Sequence, residues 1–274
     1  MLKKLMKHEL IATARIMLPL YLLAMLLAVF ANVTTRLADH VQSWVISTLS
    51  GVSIFTFFLA LMAVCLMALV IMIGRFHSNL MGPQGYLMMT LPASIHQLVL
   101  SKVITSVLWF CGTMVVCILA LVALFFDSHT LADMGNFFEL LTLLLSDGYE
   151  GGGLVLSGGQ FAALGLEVCG LMVLAMVCFT LFVYAAIATG HSFSNRKMLL
   201  TVLIYLGFGL AGQILSTVVL GNLWFRMLAN TGSSLDAIQD FHSFWWVLIL
   251  YYALWSAGLY VLTLLMTKKR LNLQ

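Results

Sequence analysis

The sequence predicts an all-α membrane protein with six transmembrane helices, and three features support this fold. Hydrophobic residues make up 62% of the 274-residue chain. Charged residues make up only 8%, whereas a soluble domain carries about 25%, so the chain has too few charges to cover a water-facing surface. The apolar residues also fall into six runs, each long enough for the roughly 20 residues that cross about 30 Å of hydrocarbon.

Charged residues bound the six apolar runs and so define the predicted spans. Backbone polar groups in lipid must find partners within the protein, so the spans are helices rather than open strands. Between Glu150 and Glu167 the chain is too short and too rich in glycine for a seventh span. The predicted helices cover roughly residues 16–36, 50–74, 101–126, 166–190, 198–220 and 244–267.

The basic residues predict the orientation of the spans. With six spans both termini share a side, and that side holds all 13 Lys and Arg residues except Arg36 and Arg226. Of the acids, only Glu9 lies there. The positive-inside rule therefore places both termini, including the tail 268–274, in the cytoplasm. A cleaved signal peptide ending at Val29-Phe30-Ala31 is the alternative for the first span, but the long polar stretch before it fits poorly.

Residues 1–15 are predicted to form a short amphipathic helix in the cytoplasmic interface. Leucine and methionine side chains recur at helical spacing, with Lys3, Lys4 and Lys7 on the polar side, and Glu9 belongs to the same predicted helix. Such a helix lies against anionic lipid. The alternative is a basic tail that serves only to set the topology.

The cytoplasmic loop 75–100 is predicted to contain an isolated helix of about two turns. Gly82-Pro83 stops one helix and starts another, and Pro92 ends the segment. Ser94 and Gln97 form a capping box that opens the next span. Its side chains are apolar although the loop should face water, which indicates a docking surface. The alternative is that these side chains enter the lipid headgroup layer. The predicted helix consists of Gln84, Gly85, Tyr86, Leu87, Met88, Met89 and Thr90.

The predicted outer loop 127–165 is long for a helix connection. Its apolar patch, residues 137–145, indicates a helix on the outer interface, and the glycine clusters after it indicate a turn. The fifth span carries two pairs of small residues at a spacing of four. These pairs, Gly207 with Ala211 and Gly212 with Ser216, permit close helix contact, either within the chain or at a dimer seam.

Several kinds of chemistry have no support in the sequence. The glycine clusters lack the Gly-Lys-Ser/Thr ending of a phosphate-binding loop, and the histidines are scattered singly. The chain is therefore predicted to be no enzyme and to bind no metal or cofactor. The span interiors hold almost no ionisable group, which argues against proton- or sodium-coupled carriers and charged-ring channels.

Two blocks of sequence resemble a known family. The first is Lys7-His8-Glu9-Leu10-Ile11-Ala12-Thr13-Ala14-Arg15 with Leu18-Pro19-Leu20-Tyr21. The second is Gly85-Tyr86-Leu87-Met88-Met89-Thr90-Leu91-Pro92 with Gln97-Leu98-Val99-Leu100-Ser101-Lys102. Both are similar to ABC-2-type transporter permeases of Gram-positive bacteria, and together they cover about a fifth of the chain.

The resemblance implies the transmembrane subunit of a type V ABC exporter in the bacterial cell membrane. Two copies, as a homodimer, would each dock a separate ATPase subunit, which holds the ATP and Mg. Residues 84–90 would be the coupling helix, and residues 1–15 would contact the ATPase from the side. The chain departs from its relatives at Pro83-Gln84, where they tend to be acidic, so a salt contact there is in doubt.

The apolar spans and the 17 methionines suit an amphipathic or hydrophobic cargo. Related permeases export antimicrobial or toxin peptides or confer resistance to peptide antibiotics, so the resemblance implies an amphipathic peptide. Lipophilic drugs are the alternative cargo. A non-transport immunity or sensor protein is the alternative function, and a membrane-embedded enzyme is a third. No nucleic-acid partner is expected.

Overall fold

A computed structural model of the chain describes residues 2–41, 43–81, 94–127, 130–151, 154–193, 196–229 and 234–269. The chain divides into two compact units, Met1–Ala132 and Asp133–Gln274. Six helices are long and apolar enough to cross a membrane, with mean hydropathy from 1.8 to 2.9. The prediction of a six-span, multi-pass membrane protein is thereby confirmed.

The described residues of the first unit form three long helices and one short π-helical segment. Helix α1 is 39 residues long, which corresponds to about 58 Å and exceeds the hydrocarbon thickness of about 30 Å. At least one end of α1 therefore extends beyond the bilayer core. The elements are α1 Leu2–His40, α2 Trp44–Phe76, the π-helix His77–Met81 and α3 Ile95–Leu124.

One face of α1 is buried from Glu9 to Thr34. Its buried positions recur every three or four residues, which places them on a single stripe of the helix. Small alanines in the second half let α2 approach closely, and Phe57 of α2 and Ala120 of α3 complete a core there. The stripe consists of Glu9, Thr13, Met17, Tyr21, Ala24, Ala28, Ala31 and Thr34.

The structure has no break at the predicted boundary between residues 15 and 16. Residues 2–15 are the first turns of α1 rather than a separate helix, and the helix continues through Pro19. Good helix formers occupy the junction, and proline is tolerated within membrane helices. The interfacial position of this segment stays a prediction.

The part of the second unit that the structure describes contains four helices and a two-stranded antiparallel hairpin. Helix α5 packs chiefly against α7 and also against α6. Gly190 at the end of α5 is in close contact with α6, because a Cβ there would lie 2.1 Å from Thr201 Oγ1. The elements are α4 Thr130–Ser146, β1 Tyr149–Gly151, β2 Leu154–Leu156, α5 Gly158–Gly190, α6 Lys197–Ala229 and α7 Ser234–Lys269.

The helix predicted at residues 137–145 is present as α4, but the hairpin after it was not predicted. Helix α5 also begins eight residues earlier than the predicted span at 166. A complete capping box opens it, in which Gln160 N–H donates to Ser157 Oγ and the Ser157 N–H donates to Gln160 Oε1 at 3.0 Å. Two glycines between Ser157 and Gln160 lower the local helix propensity, so the sequence pattern did not indicate that α5 begins here.

Candidate functional site

The most buried charges of the first unit form one cluster around Glu9. Its carboxylate is only 9% exposed, and it receives three donors from other segments. Lys102 Nζ pairs with Oε1, Asn79 Nδ2 donates to Oε1 at 3.1 Å, and Arg75 Nη1 lies 3.7 Å from Oε2. Burying a carboxylate is costly unless it is paired and hydrogen-bonded, and this set of donors meets that condition.

Lys102 lies in the second turn of α3, and its side chain is 4% exposed. A lysine so close to a helix end is able to extend its ammonium group toward the interface. The structure instead buries it against Glu9, because α1 crosses α3 at this level. The two residues are 93 positions apart, and their pairing therefore depends on the tertiary fold.

Arg75 and Asn79 come from the end of α2 and from the π-helix that follows. The wider π-helical turn belongs to the same segment that carries the buried Asn79 side chain, and such turns are frequent at functional sites. Arg75 is 30% exposed, so its guanidinium links the buried carboxylate with the solvated surface. With two cations against one carboxylate, the cluster carries a formal charge of +1.

Further polar contacts join α1 to α3 beyond the cluster. Trp109 Nε1 donates to Thr13 Oγ1 at 2.9 Å, and the hydroxyls of Tyr21 and Thr113 lie 2.7 Å apart. Tyr21 also donates to the Trp109 carbonyl at 3.3 Å. Each contact satisfies a polar group where water is scarce, so together they hold α1 and α3 in register.

The Glu9 cluster joins both borders of the segment predicted as the coupling helix. The π-helix ends at Met81 and carries Asn79, whereas α3 begins after Ser94 and carries Lys102. The Ser94 Oγ accepts from the Gln97 N–H at 3.4 Å, which confirms the predicted N-terminal cap. The Glu9 carboxylate of α1 therefore contacts both the element that precedes this segment and the helix that follows it.

The structure describes some of the predicted site residues and not others. Residues 84–90 lie outside the described part of the chain. Lys3, Lys4 and Lys7 are exposed on α1, whereas Glu9 faces the protein interior. Glu9 therefore does not share the outward surface of the three lysines, and the role of these four residues in an interfacial helix stays a prediction.

The two small-residue pairs of α6 lie in different surroundings. Gly212 packs against α7, where a Cβ would lie 3.5 Å from the Trp255 ring, and its carbonyl accepts from the Tyr251 hydroxyl at 2.8 Å. Gly207 and Ala211 are exposed. None of the residues described in the apolar stretch of α6 is buried. Gly212 therefore packs within the chain. For the exposed Gly207 and Ala211, a dimer seam stays a prediction.

Arg75, Asn79 and Lys102 were not predicted as site residues. The available signal was Glu9 itself, the single acid on the basic side of the chain. In lipid-facing surroundings such an acid requires cations, and two basic residues flank the predicted loop: Arg75 begins the loop 75–100, and Lys102 follows two residues after its end. Asn79 had no comparable signal, because its role depends on the π-helical turn.

In the second unit, a contact between a histidine and a carboxylate joins α5 to α7. His242 Nδ1 lies 3.1 Å from both carboxylate oxygens of Glu167. Among the described residues no group of three or more His, Cys, Asp or Glu side chains is arranged to hold a metal ion.

Comparison of the chain with known protein families, with curated proteins and with solved structures finds no match.

Proposed function

We propose that the chain is the permease subunit of an ATP-driven exporter in a bacterial cell membrane. Six apolar helices would form the membrane domain. The class of transporter is inferred from the sequence resemblance to ABC-2-type permeases. The observation that carries the proposal is the buried contact of Glu9 with Lys102 on one side and with Asn79 and Arg75 on the other, because together these contacts tie the elements on both sides of residues 82–93 to α1. Force applied to that segment by an ATPase would move α1, α2 and α3 together.

In this proposal the energy comes from a separate ATPase subunit with its ATP and Mg. A second copy of the chain completes the translocation path, and an amphipathic peptide is the cargo, with lipophilic drugs as the alternative. The resemblance supports these assignments through Tyr86, Leu87 and their neighbours. The buried cluster supports rigid transmission, since breaking a paired buried charge is strongly unfavourable.

The first experiment is purification of the tagged full chain from its native membrane. We expect an ATPase with a phosphate-binding loop to co-purify and to hydrolyse ATP faster when cargo is present. A chain that protects cells against a peptide without any ATPase partner would contradict the exporter and favour the sensor or immunity alternative.

Substitutions then separate docking from transmission. The Tyr86→Asp and Leu87→Asp double variant should lose the ATPase, because carboxylates would enter an apolar contact. Glu9→Gln should retain the ATPase but lose the cargo-dependent increase in ATP turnover. Lys102→Arg, which keeps the charge pair, and Glu139→Gln, which changes an exposed charge on α4, should behave as the unaltered chain. Normal ATPase binding and turnover in the double variant would refute the docking assignment.

A further inference from the structure

A cavity of about 410 Å³ lies at the end of the first unit opposite the Glu9 cluster. Arg36 of its lining is 27 residues from Glu9 along α1, which corresponds to about 40 Å. This separation exceeds the hydrocarbon thickness of about 30 Å, so the two polar sites flank the bilayer core. The volume falls within the range of about 300–1,000 Å³ that small-ligand pockets occupy.

Side chains of α1 build one wall of the cavity by capping the end of α3. Asn32 Nδ2 donates to the carbonyls of Leu124 and Phe126, at 2.7 and 2.9 Å, and Arg36 also donates to the Phe126 carbonyl. The last carbonyls of a helix have no partner within the helix, and they carry partial negative charge. The capping contacts therefore hold the cavity open next to a negative helix end.

The formal charges of the lining are unbalanced. Arg36 is the one permanent cation of the lining, and it is already paired, because its Nη2 lies 3.6 Å from Asp127 Oδ1. Asp39 is exposed and forms no ion pair within the described residues. With two carboxylates against one guanidinium, the lining has a formal charge of −1. The helix end adds to this negative potential.

The α1 side of the cavity also carries the polar Thr35 and His40, whereas the side formed by the end of α3 is largely apolar. Leu124, Phe125 and Phe126 line it, and the Phe125 side chain is 70% exposed. A cation that approaches Asp39 would therefore have apolar and aromatic surface beside it, and aromatic faces attract cations. The lining thus combines an available carboxylate with a place for hydrocarbon.

We propose that this cavity binds an amphipathic cation, namely a primary ammonium or guanidinium group joined to an apolar body. The charged group lies against Asp39, and the apolar body lies against Phe126 and its neighbours. This chemistry is found in basic peptides and in lipid headgroups that bear an ammonium. The site requires no ATPase, so its test is independent of the proposed exporter function.

The experiment measures binding of a fluorescein-labelled Lys-Leu-Lys-Leu amide to the purified full chain in a nonionic maltoside detergent. We expect saturable binding, with the matched Glu-Leu-Glu-Leu peptide binding much more weakly. Asp39→Asn should weaken binding of the basic peptide about fivefold, as expected for one exposed ion pair. Asp39→Lys should abolish it. Glu139→Gln, an exposed acid of α4 outside the cavity, should change nothing.

Competition distinguishes the two sources of the cation. If a lipid headgroup is the natural ligand, phosphatidylethanolamine in the micelles displaces the peptide, whereas phosphatidylglycerol does not. If a free peptide is the ligand, neither lipid displaces it. Equal binding of both peptides, or equal affinity in Asp39→Asn, Asp39→Lys and the unaltered chain, would overturn the proposal.

Discussion

The two polar ends of the first unit contain similar residues in opposite surroundings. At one end Glu9 is buried and receives Lys102, Asn79 and Arg75. At the other end Arg36 and Asp127 form a pair whose side chains are 46% and 63% exposed. Water stabilises each charge of the exposed pair separately, whereas the buried carboxylate depends entirely on its protein partners.

This difference suits the two ends to different tasks. A buried pair is costly to break, so the helices that it joins move as one body. An exposed pair contributes little, so its groups can exchange partners with a ligand at small cost. The first arrangement suits the transmission of force, and the second suits reversible binding.

The largest expected effect belongs to Glu9→Gln. The substitution leaves the Lys102 ammonium buried without its counter-charge, and we expect the free energy of unfolding to fall by about 3–5 kcal/mol. Chemical unfolding in detergent, followed by tryptophan fluorescence, measures this loss. Lys7→Gln removes one exposed charge from the same helix and should leave stability unchanged.

A double substitution checks that the effect comes from the unpaired charge. Glu9→Leu with Lys102→Met replaces the pair by apolar groups of similar size. We expect it to be more stable than either single variant, because neither charge then remains buried alone. Additive losses in the double variant would show that the two side chains act separately.

A smaller effect is expected for Tyr21→Phe. The substitution keeps the ring and removes the hydroxyl that contacts Thr113 and the Trp109 carbonyl, so we expect a loss of about 1 kcal/mol. Tyr252→Phe is the matched control, because its hydroxyl makes no hydrogen bond in the described part of the chain. Thermal unfolding of both variants in the same detergent gives the comparison.

The smallest effect is expected for Arg36→Gln, at no more than about 1 kcal/mol, because its pair with Asp127 is exposed. The ion-pair part of this loss should vanish at 1 M salt, where the screening length is about 3 Å, whereas the part due to the hydrogen bond from Arg36 to the Phe126 carbonyl should persist. The loss caused by Glu9→Gln should persist there. A salt-insensitive Arg36→Gln effect would remove the contrast between the two ends.

The outcome for particular elements shows what the sequence can predict. Apolar runs predicted all six long helices, because a span must present about 20 apolar residues to lipid whatever its neighbours. The cap at Ser94 was also predicted, since capping depends on residues three positions apart. The hairpin after α4 and the early start of α5 were missed, because glycines weaken the local signals there.

By itself the sequence determined the membrane character, the number of helices and the uneven distribution of basic residues. These follow from composition and from the energetic cost of placing backbone and charge in lipid. Only the tertiary structure decided that Glu9 faces Lys102 and that Asn32 and Arg36 cap α3. Those contacts join residues about 90 positions apart, and they depend on how three helices pack rather than on any local pattern.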